Sequence, residues 1–132
     1  MHVIRRQDTD TPTPQGLLGQ YAISAETVGS QGLFMALYRI PPGGRSVAHY
    51  HTNCETAVYL LRGTVRAYTG DDLSQVYDVE PGQFVYLPAN EVHMVENLSA
   101  TEWCEYVLAR NAPTEIVVEV PVTPPQRATL RT

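Results

Sequence analysis

The sequence contains no lysine, so all nine basic residues are arginines, and it has only two cysteines. Its net charge of −5 argues against a nucleic-acid partner, because phosphate binding favours a basic surface. Cys54 and Cys104 are too few for a disulfide framework, so we expect free thiols. No apolar run approaches the ~20 residues of a membrane span, and the first residues lack the apolar core of a signal peptide. We therefore expect a cytoplasmic protein that contacts neither membranes nor nucleic acid.

Long segments with helical periodicity are also missing. Short apolar or alternating segments, separated by proline and glycine, predict about ten strands at the spacing of a sandwich or barrel. The sequence therefore predicts an all-β protein. The clearest predicted strands are Gln20–Val28, Leu33–Ile40, Thr56–Arg62, Val65–Tyr68, Gln75–Val79, Phe84–Leu87, Val92–Asn97, Glu102–Arg110 and Glu115–Val120.

The length of the chain favours a single domain over residues 1–132. We expect an N-terminal arm at 1–20 that opens with a short strand at His2–Arg6, a β-barrel at 21–120, and a proline-rich C-terminal tail at 121–132. The prolines of the tail lack backbone donors, which excludes them from a sheet interior. Leu33–Ile40 is apolar almost throughout, as expected where both faces of a strand are covered.

Four potential metal ligands fall in two segments of the chain. His49, His51 and Glu55 lie in the first segment, and His93 lies in the second. Side chains two residues apart on a strand share a face, so an unbroken strand would bring the first three together. Imidazoles with one carboxylate suit a divalent transition metal such as Fe, Mn, Zn, Ni or Co. These residues predict a metal site with His49, His51, Glu55 and His93 as ligands.

The first segment resembles the first motif of the cupin family. That motif is glycine, five residues, His-x-His, three or four residues, glutamate, about six residues and glycine. This chain fills it with Gly43, the two histidines, Glu55 and Gly63, with seven residues before the last glycine. Many cupins place the glutamate after four residues, and this chain has Thr56 there. Glu55 is the nearest carboxylate, so it is the ligand that the resemblance implies.

The second segment resembles the second cupin motif, which is glycine, five residues, Pro-x-Gly, two residues, histidine, three residues and asparagine. Gly82, Pro88, His93 and Asn97 fill it, with Asn90 in place of a glycine. Asparagine also tolerates the left-handed turn conformation. The resemblance implies a double-stranded β-helix, or jelly-roll barrel. It also implies a homodimer, since single-domain cupins are commonly dimers.

Three neutral histidines and one glutamate would leave positions on an octahedral ion for water, substrate or dioxygen. We therefore expect a metal-dependent enzyme that acts on a small oxygen-rich organic substrate. Its chemistry would be either dioxygenase-like or that of a Lewis-acid isomerase, lyase or cyclase. Glu55 is the candidate base. Ala57, Tyr59 and Leu61 share the strand phase of Glu55 and are expected to line the barrel. Tyr59 can offer its hydroxyl to the substrate or to Glu55, or serve as a core aromatic.

Other readings of the same residues stay open. A non-catalytic module would sense or sequester a small molecule through the same metal, and a structural barrel would hold no metal. The resemblance does not choose a reaction, because cupins include dioxygenases, decarboxylases, sugar isomerases and polyketide cyclases. Cys54 lies between His51 and Glu55, and a thiolate is a metal ligand. Alternation turns Cys54 away from the histidines, so we expect a buried, inert thiol.

Overall fold

The computed structural model describes residues 1–125 and the backbone of residues 129–131. In that part of the chain, the strands form two six-stranded sheets. The strands and the one helix are β1 (Thr11–Pro12), β2 (Leu18–Ile23), α1 (Ala25–Val28), β3 (Phe34–Ile40), β4 (His49–His51), β5 (Thr56–Arg62), β6 (Val65–Thr69), β7 (Gln75–Val79), β8 (Phe84–Leu87), β9 (His93–Glu96), β10 (Cys104–Arg110), β11 (Val117–Glu119) and β12 (Thr129–Arg131).

The first sheet has the order β1-β2-β3-β10-β5-β8, and the second has the order β11-β4-β9-β6-β7-β12. Pairing is antiparallel except between β12 and β7, which are parallel. The chain alternates between sheets, so segments far apart in sequence become neighbours. The all-β prediction is confirmed. No helix in the described ranges is long and apolar enough to cross a membrane.

The main core lies between the two sheets, where the inward faces of β3, β5 and β10 meet β6 and β7. Strand β3 alternates strictly: Phe34, Ala36, Tyr38 and Ile40 are buried, whereas Met35 is exposed. In the single chain the outward face of β3 is open, so the coverage of both faces, expected for a barrel wall that also forms an interface, stays a prediction. Only its inward face packs against other residues of the core.

Two predicted strands of the N-terminal region are wrong. His2–Arg6 forms no strand, and the first pairing involves Thr11–Pro12 and β2. The predicted strand Gln20–Val28 divides at Ser24, which caps α1: its hydroxyl accepts a hydrogen bond from the backbone N–H of Thr27 at 3.2 Å, and the Thr27 side chain bonds back to the cap. A helix of one turn is too short to produce a periodic pattern, so the sequence could not signal it.

The predicted C-terminal tail at 121–132 falls partly outside the described residues. Its described part includes β12, which lies at the edge of the second sheet. The tail therefore contributes an edge strand, and the backbone groups on the outer side of an edge strand need no hydrogen-bond partner in the sheet.

Candidate metal centre

Strands β4 and β9 bring three histidines together on the inward face of the second sheet. His49 lies directly opposite His93 in the antiparallel pair, and His51 follows His49 on the same face of β4. The three side chains are buried, and one nitrogen atom from each lies within 4.8 Å of the others. Two strands that are distant in sequence thus build a compact nitrogen cluster.

Backbone carbonyls fix the orientation of two of these rings. Nδ1 of His49 lies 2.7 Å from the carbonyl oxygen of Val47, and Nδ1 of His93 lies 3.0 Å from that of Glu91. A carbonyl oxygen only accepts, so each Nδ1 donates and carries the proton. The lone pair is then on Nε2 of both rings. This arrangement is typical of histidines that bind metals.

His51 has weaker support. Neither of its buried ring nitrogens makes a well-formed hydrogen bond among the described residues, although the Ile116 backbone lies close enough to raise the pKa of the ring slightly against the effect of burial. A buried polar group without a partner costs about 1–3 kcal/mol. The cost is recovered if a ligand occupies the space beside the ring, so His51 indicates a bound group at this cluster.

Electrostatics keep the three rings neutral. Burial lowers the pKa of His93 and of His51 to about 3, and it also lowers the pKa of His49. The positive charge of Arg110 lowers the pKa of each ring further. Neutral imidazole is the form that binds a metal ion. Geometry, orphaned nitrogens and protonation state therefore all fit a divalent cation.

Glu55 does not lie with the histidines, and the inference from strand alternation is wrong at this residue. The chain bends at Thr52 and Asn53 and crosses from β4 in the second sheet to β5 in the first, so alternation is not continuous. Glu55 is exposed, and its carboxylate accepts hydrogen bonds from the Tyr86 hydroxyl at 2.6 Å and from the Asn111 amide at 3.1 Å. Its predicted roles as ligand and as base are corrected accordingly.

The predicted barrel lining at Ala57, Tyr59 and Leu61 is wrong for the same reason. Because the bend reverses the phase, Thr56 and Leu60 point inward and Ala57 and Leu61 are exposed. Tyr59 packs against the exposed ring of Phe84 on the outer face, with ring centroids 4.7 Å apart. It is therefore not placed to act at the histidines.

Cys54 is buried, as predicted, and it is not part of the nitrogen cluster. Burial raises the pKa of its thiol, which disfavours the thiolate that a metal would need.

Sequence reasoning missed a second polar cluster beside the histidines. Arg110, the last residue of β10, is buried, and its Nε donates to the Thr56 hydroxyl at 3.1 Å. Its Nη1 forms an ion pair with Glu115 at 3.0 Å, and both side chains are only 2% exposed. A signal for Arg110 existed, since it continues the inward-facing alternation of β10. Glu115 was predicted to begin a strand, but it lies in the loop before β11, and nothing in the sequence indicated its contact with Arg110.

The histidine cluster and Arg110 border one cavity of about 970 Å³ between the sheets. Its polar lining includes His49, His93, Thr56 and Arg110, and the last two are hydrogen-bonded to each other. Most of the wall area is apolar, and further polar side chains such as Asp78 and Glu91 also line it; the apolar residues include Leu17, Val58, Leu60, Val85, Val95 and Leu108. An apolar wall with convergent polar groups is the usual form of a small-molecule site.

Comparison with known proteins identifies the class to which this fold and this histidine cluster belong. The family profile described as the cupin domain matches residues 36–108, which is more than half of the chain. The chain belongs to the cupin family, and the jelly-roll prediction is confirmed.

One curated relative and two solved structures illustrate the similarity. The chain is 30% identical over 108 residues to a probable oxalate decarboxylase of Arthroderma benhamiae, covering 80% of this chain and 26% of the relative. The chain thus spans about a quarter of the length of the curated relative it matches. The polyketide cyclase RemF of Streptomyces resistomycificus aligns with a TM-score of 0.77 at 18% identity, covering 93% of this chain and 87% of the cyclase. The oxalate decarboxylase of Lactobacillus farciminis, in its formate complex, aligns with a TM-score of 0.72 at 16% identity, covering 85% and 33%. At these identities the structural likeness shows the fold alone.

Proposed function

We propose that this protein is a metal-dependent cupin enzyme that acts on a small organic substrate through its oxygen atoms. His49, His51 and His93 would hold a divalent transition metal. The observation that carries the proposal is the His51 ring, whose buried nitrogens make no well-formed hydrogen bond in the described chain, beside two rings whose Nδ1 atoms are already bonded.

When bound, the ion would supply Lewis-acid polarisation of a substrate oxygen or, if it is redox-active, dioxygen chemistry. The chain's own residues supply the rest. The carbonyls of Val47 and Glu91 hold the imidazole protons away from the cavity. The apolar wall limits water around the reacting oxygens, which strengthens electrostatic interactions in the site.

The cavity supports a substrate class. Its volume of about 970 Å³ and its apolar wall suit a ligand much larger than a two-carbon acid. The polyketide cyclase aligns over most of both chains, whereas the oxalate decarboxylases are much longer proteins. We infer a mainly apolar molecule, of aromatic or polyketide type, whose oxygen atoms gather at one end.

A second candidate is a non-catalytic module that senses or sequesters the same class of molecule. It is favoured by one observation: the carboxylate predicted as a base, Glu55, lies outside the site, and Thr56 faces the cavity instead. A hydroxyl at its ordinary pKa is a poor base. The two candidates differ in a simple measurement, because the module would bind its ligand without releasing an altered product.

The proposed metal site is tested by elemental analysis of protein purified without chelators. We expect about one metal ion per chain in the parent, since each chain contributes one histidine cluster. His93→Ala should lose most of the metal, whereas His2→Ala, which changes the exposed fourth histidine, should retain it. Equal metal content in His93→Ala and the parent would contradict the proposal.

We also propose that two copies of the chain associate through the outer face of the first sheet. On that face, paired residues of neighbouring strands form two uncharged rows. One row is Leu37, Val107, Tyr59 and Phe84, and the other is Met35, Ala109, Ala57 and Tyr86. Phe84 is 79% exposed and Tyr86 is 62% exposed, so the patch is large and apolar. Two such sheet faces pack well on each other. Sedimentation should show a dimer that Phe84→Glu converts to a monomer, and a monomeric parent would refute the assembly.

A further inference from the structure

We propose that Arg110 binds an anionic oxygen of the substrate, so that the ligand is held between this guanidinium and the histidine cluster. The chemical class is a carboxylate, enolate or phenolate attached to an apolar body. The inference rests on the proposed function for the presence of a substrate in this cavity, but it concerns the residues of the chain and is tested without a metal.

The contacts of Arg110 leave it able to bind a further group. Nε donates to Thr56, and Nη1 pairs with Glu115. A guanidinium has five N–H donors, so these two contacts in the described chain account for only part of them. The side chain also forms part of the cavity wall. Although Nη1 lies 3.0 Å from Glu115, it makes no hydrogen bond of good geometry among the described residues, so Arg110 keeps donors free at the cavity wall.

Glu115 holds Arg110 in place and is itself fully engaged. Its Oε2 accepts hydrogen bonds from the hydroxyls of Tyr21 at 2.5 Å and Tyr38 at 2.6 Å, and its Oε1 accepts from the Gln15 amide at 2.8 Å and pairs with Arg110. A carboxylate has about four lone-pair positions, and here each has a partner. Glu115 is thus a positioning residue, and it has no capacity left for a metal ion or a substrate proton.

The charges around Arg110 favour an anion at this end of the cavity, whose wall elsewhere includes Glu91 and Asp78, the latter paired with Arg66. The inward-facing residue at the start of β5 is Thr56, a neutral side chain that contacts Arg110, and Glu55 beside it is exposed on the outside. The three histidines are also neutral ligands. A divalent ion would therefore have no charged ligand among them, and a substrate oxygen that carries negative charge would compensate the ion and interact with the guanidinium.

The test compares two probes of the same shape, 2-naphthoate and the neutral 2-naphthamide, by calorimetric titration of chelator-treated, metal-free protein. We expect the parent to bind naphthoate about ten-fold or more tightly than naphthamide, the size typical of a hydrogen bond to a charged group. Arg110→Gln should remove this preference and leave naphthamide binding unchanged. Arg62→Gln, which changes an exposed arginine on β5, should keep the preference.

Because Arg110→Gln leaves Glu115 buried without its partner, the double variant Arg110→Gln/Glu115→Gln is measured beside it. The double variant has no unpaired charge and should fold, yet we expect it to lack the naphthoate preference as well. If the double variant recovers the preference, Arg110 serves folding only and the proposal is overturned. Equal affinity of the parent for both probes, or no binding of naphthoate, would also overturn it. None of these outcomes depends on the metal content that tests the proposed function.

Discussion

The histidine cluster and the Arg110–Glu115 pair lie beside the same cavity but differ in whether they compensate their own charge. The carboxylate of Glu115 has a partner at every position, and Arg110 supplies the opposite charge and donates to Thr56. At the other cluster, the buried nitrogens of His51 make no well-formed hydrogen bond among the described residues. The charges of the pair are balanced within the protein, with Nη1 of Arg110 still able to donate a hydrogen bond, whereas the His51 ring lacks a compensating partner.

This difference distinguishes buried groups that stabilise the fold from buried groups that bind a ligand. A satisfied buried pair stabilises the fold only while both members are present, because each compensates the other. An unsatisfied cluster lowers stability until a ligand binds, and binding then recovers the cost. In metal-free protein, substitutions that break the ion pair should therefore lower the free energy of unfolding, whereas substitutions that remove the unsatisfied histidines should raise it.

The largest effect is expected when the satisfied pair is broken. Glu115→Gln leaves the Arg110 charge unpaired in the interior and should lower the free energy of unfolding by about 3–5 kcal/mol. Urea denaturation of metal-free protein measures this loss. The double variant Arg110→Gln/Glu115→Gln should recover much of the stability. A loss below about 1 kcal/mol in the single variant would remove the distinction between the clusters.

A smaller effect is expected from pH, and it reports on the unsatisfied cluster. His51 and His93 have a pKa of about 3 when folded, against 6.5 for the ordinary side chain. Between these values the unfolded chain binds more protons than the folded chain, so stability is complete above pH 6.5 and falls as the pH decreases towards 3. Carboxyls such as Asp78, with a lowered pKa, lose their contribution only below the ordinary value of 3.8.

The measurement is urea denaturation of metal-free protein in steps from pH 7 to pH 5. The variant His51→Gln/His93→Gln should show a flatter dependence in this range, because two of the three buried histidines have been removed. A parent stability that is constant from pH 7 to pH 5 would contradict the stated burial of these rings.

The smallest effect is expected on the outside of the barrel. Glu55→Gln should leave the metal content unchanged and alter the free energy of unfolding by less than about 0.5 kcal/mol, since Glu55 is exposed and bonds only to peripheral groups. His51→Ala provides the contrast, because it should remove the metal. Loss of metal in Glu55→Gln would show that the carboxylate does reach the site.

The sequence predicted the elements whose patterns are regular. Most strands from β3 to β10 were recognised because apolar alternation and turn residues mark them. The three histidines were predicted to meet because two of them are in phase on β4 and the third lies in the second motif. Both predictions depend on local pattern or on motif spacing, which the sequence displays directly.

The errors arose where a position depends on the path of the chain between sheets. The bend at Thr52 and Asn53 reverses the phase of β5, so Glu55 and Tyr59 face outward and Thr56 faces inward. No alternation pattern carries across such a crossing. Glu115 reaches Arg110 from a loop, and that contact is set by tertiary packing that the sequence does not display.

The central claim is that three histidines, without Glu55, form the metal centre. Crystals of the purified protein, measured at the absorption edge of the metal found by elemental analysis, test it most directly. We predict one anomalous peak about 2.0–2.2 Å from one nitrogen of each of His49, His51 and His93, with the Glu55 carboxylate outside contact distance. A peak bonded to Glu55, or no peak at the three histidines, would contradict the account.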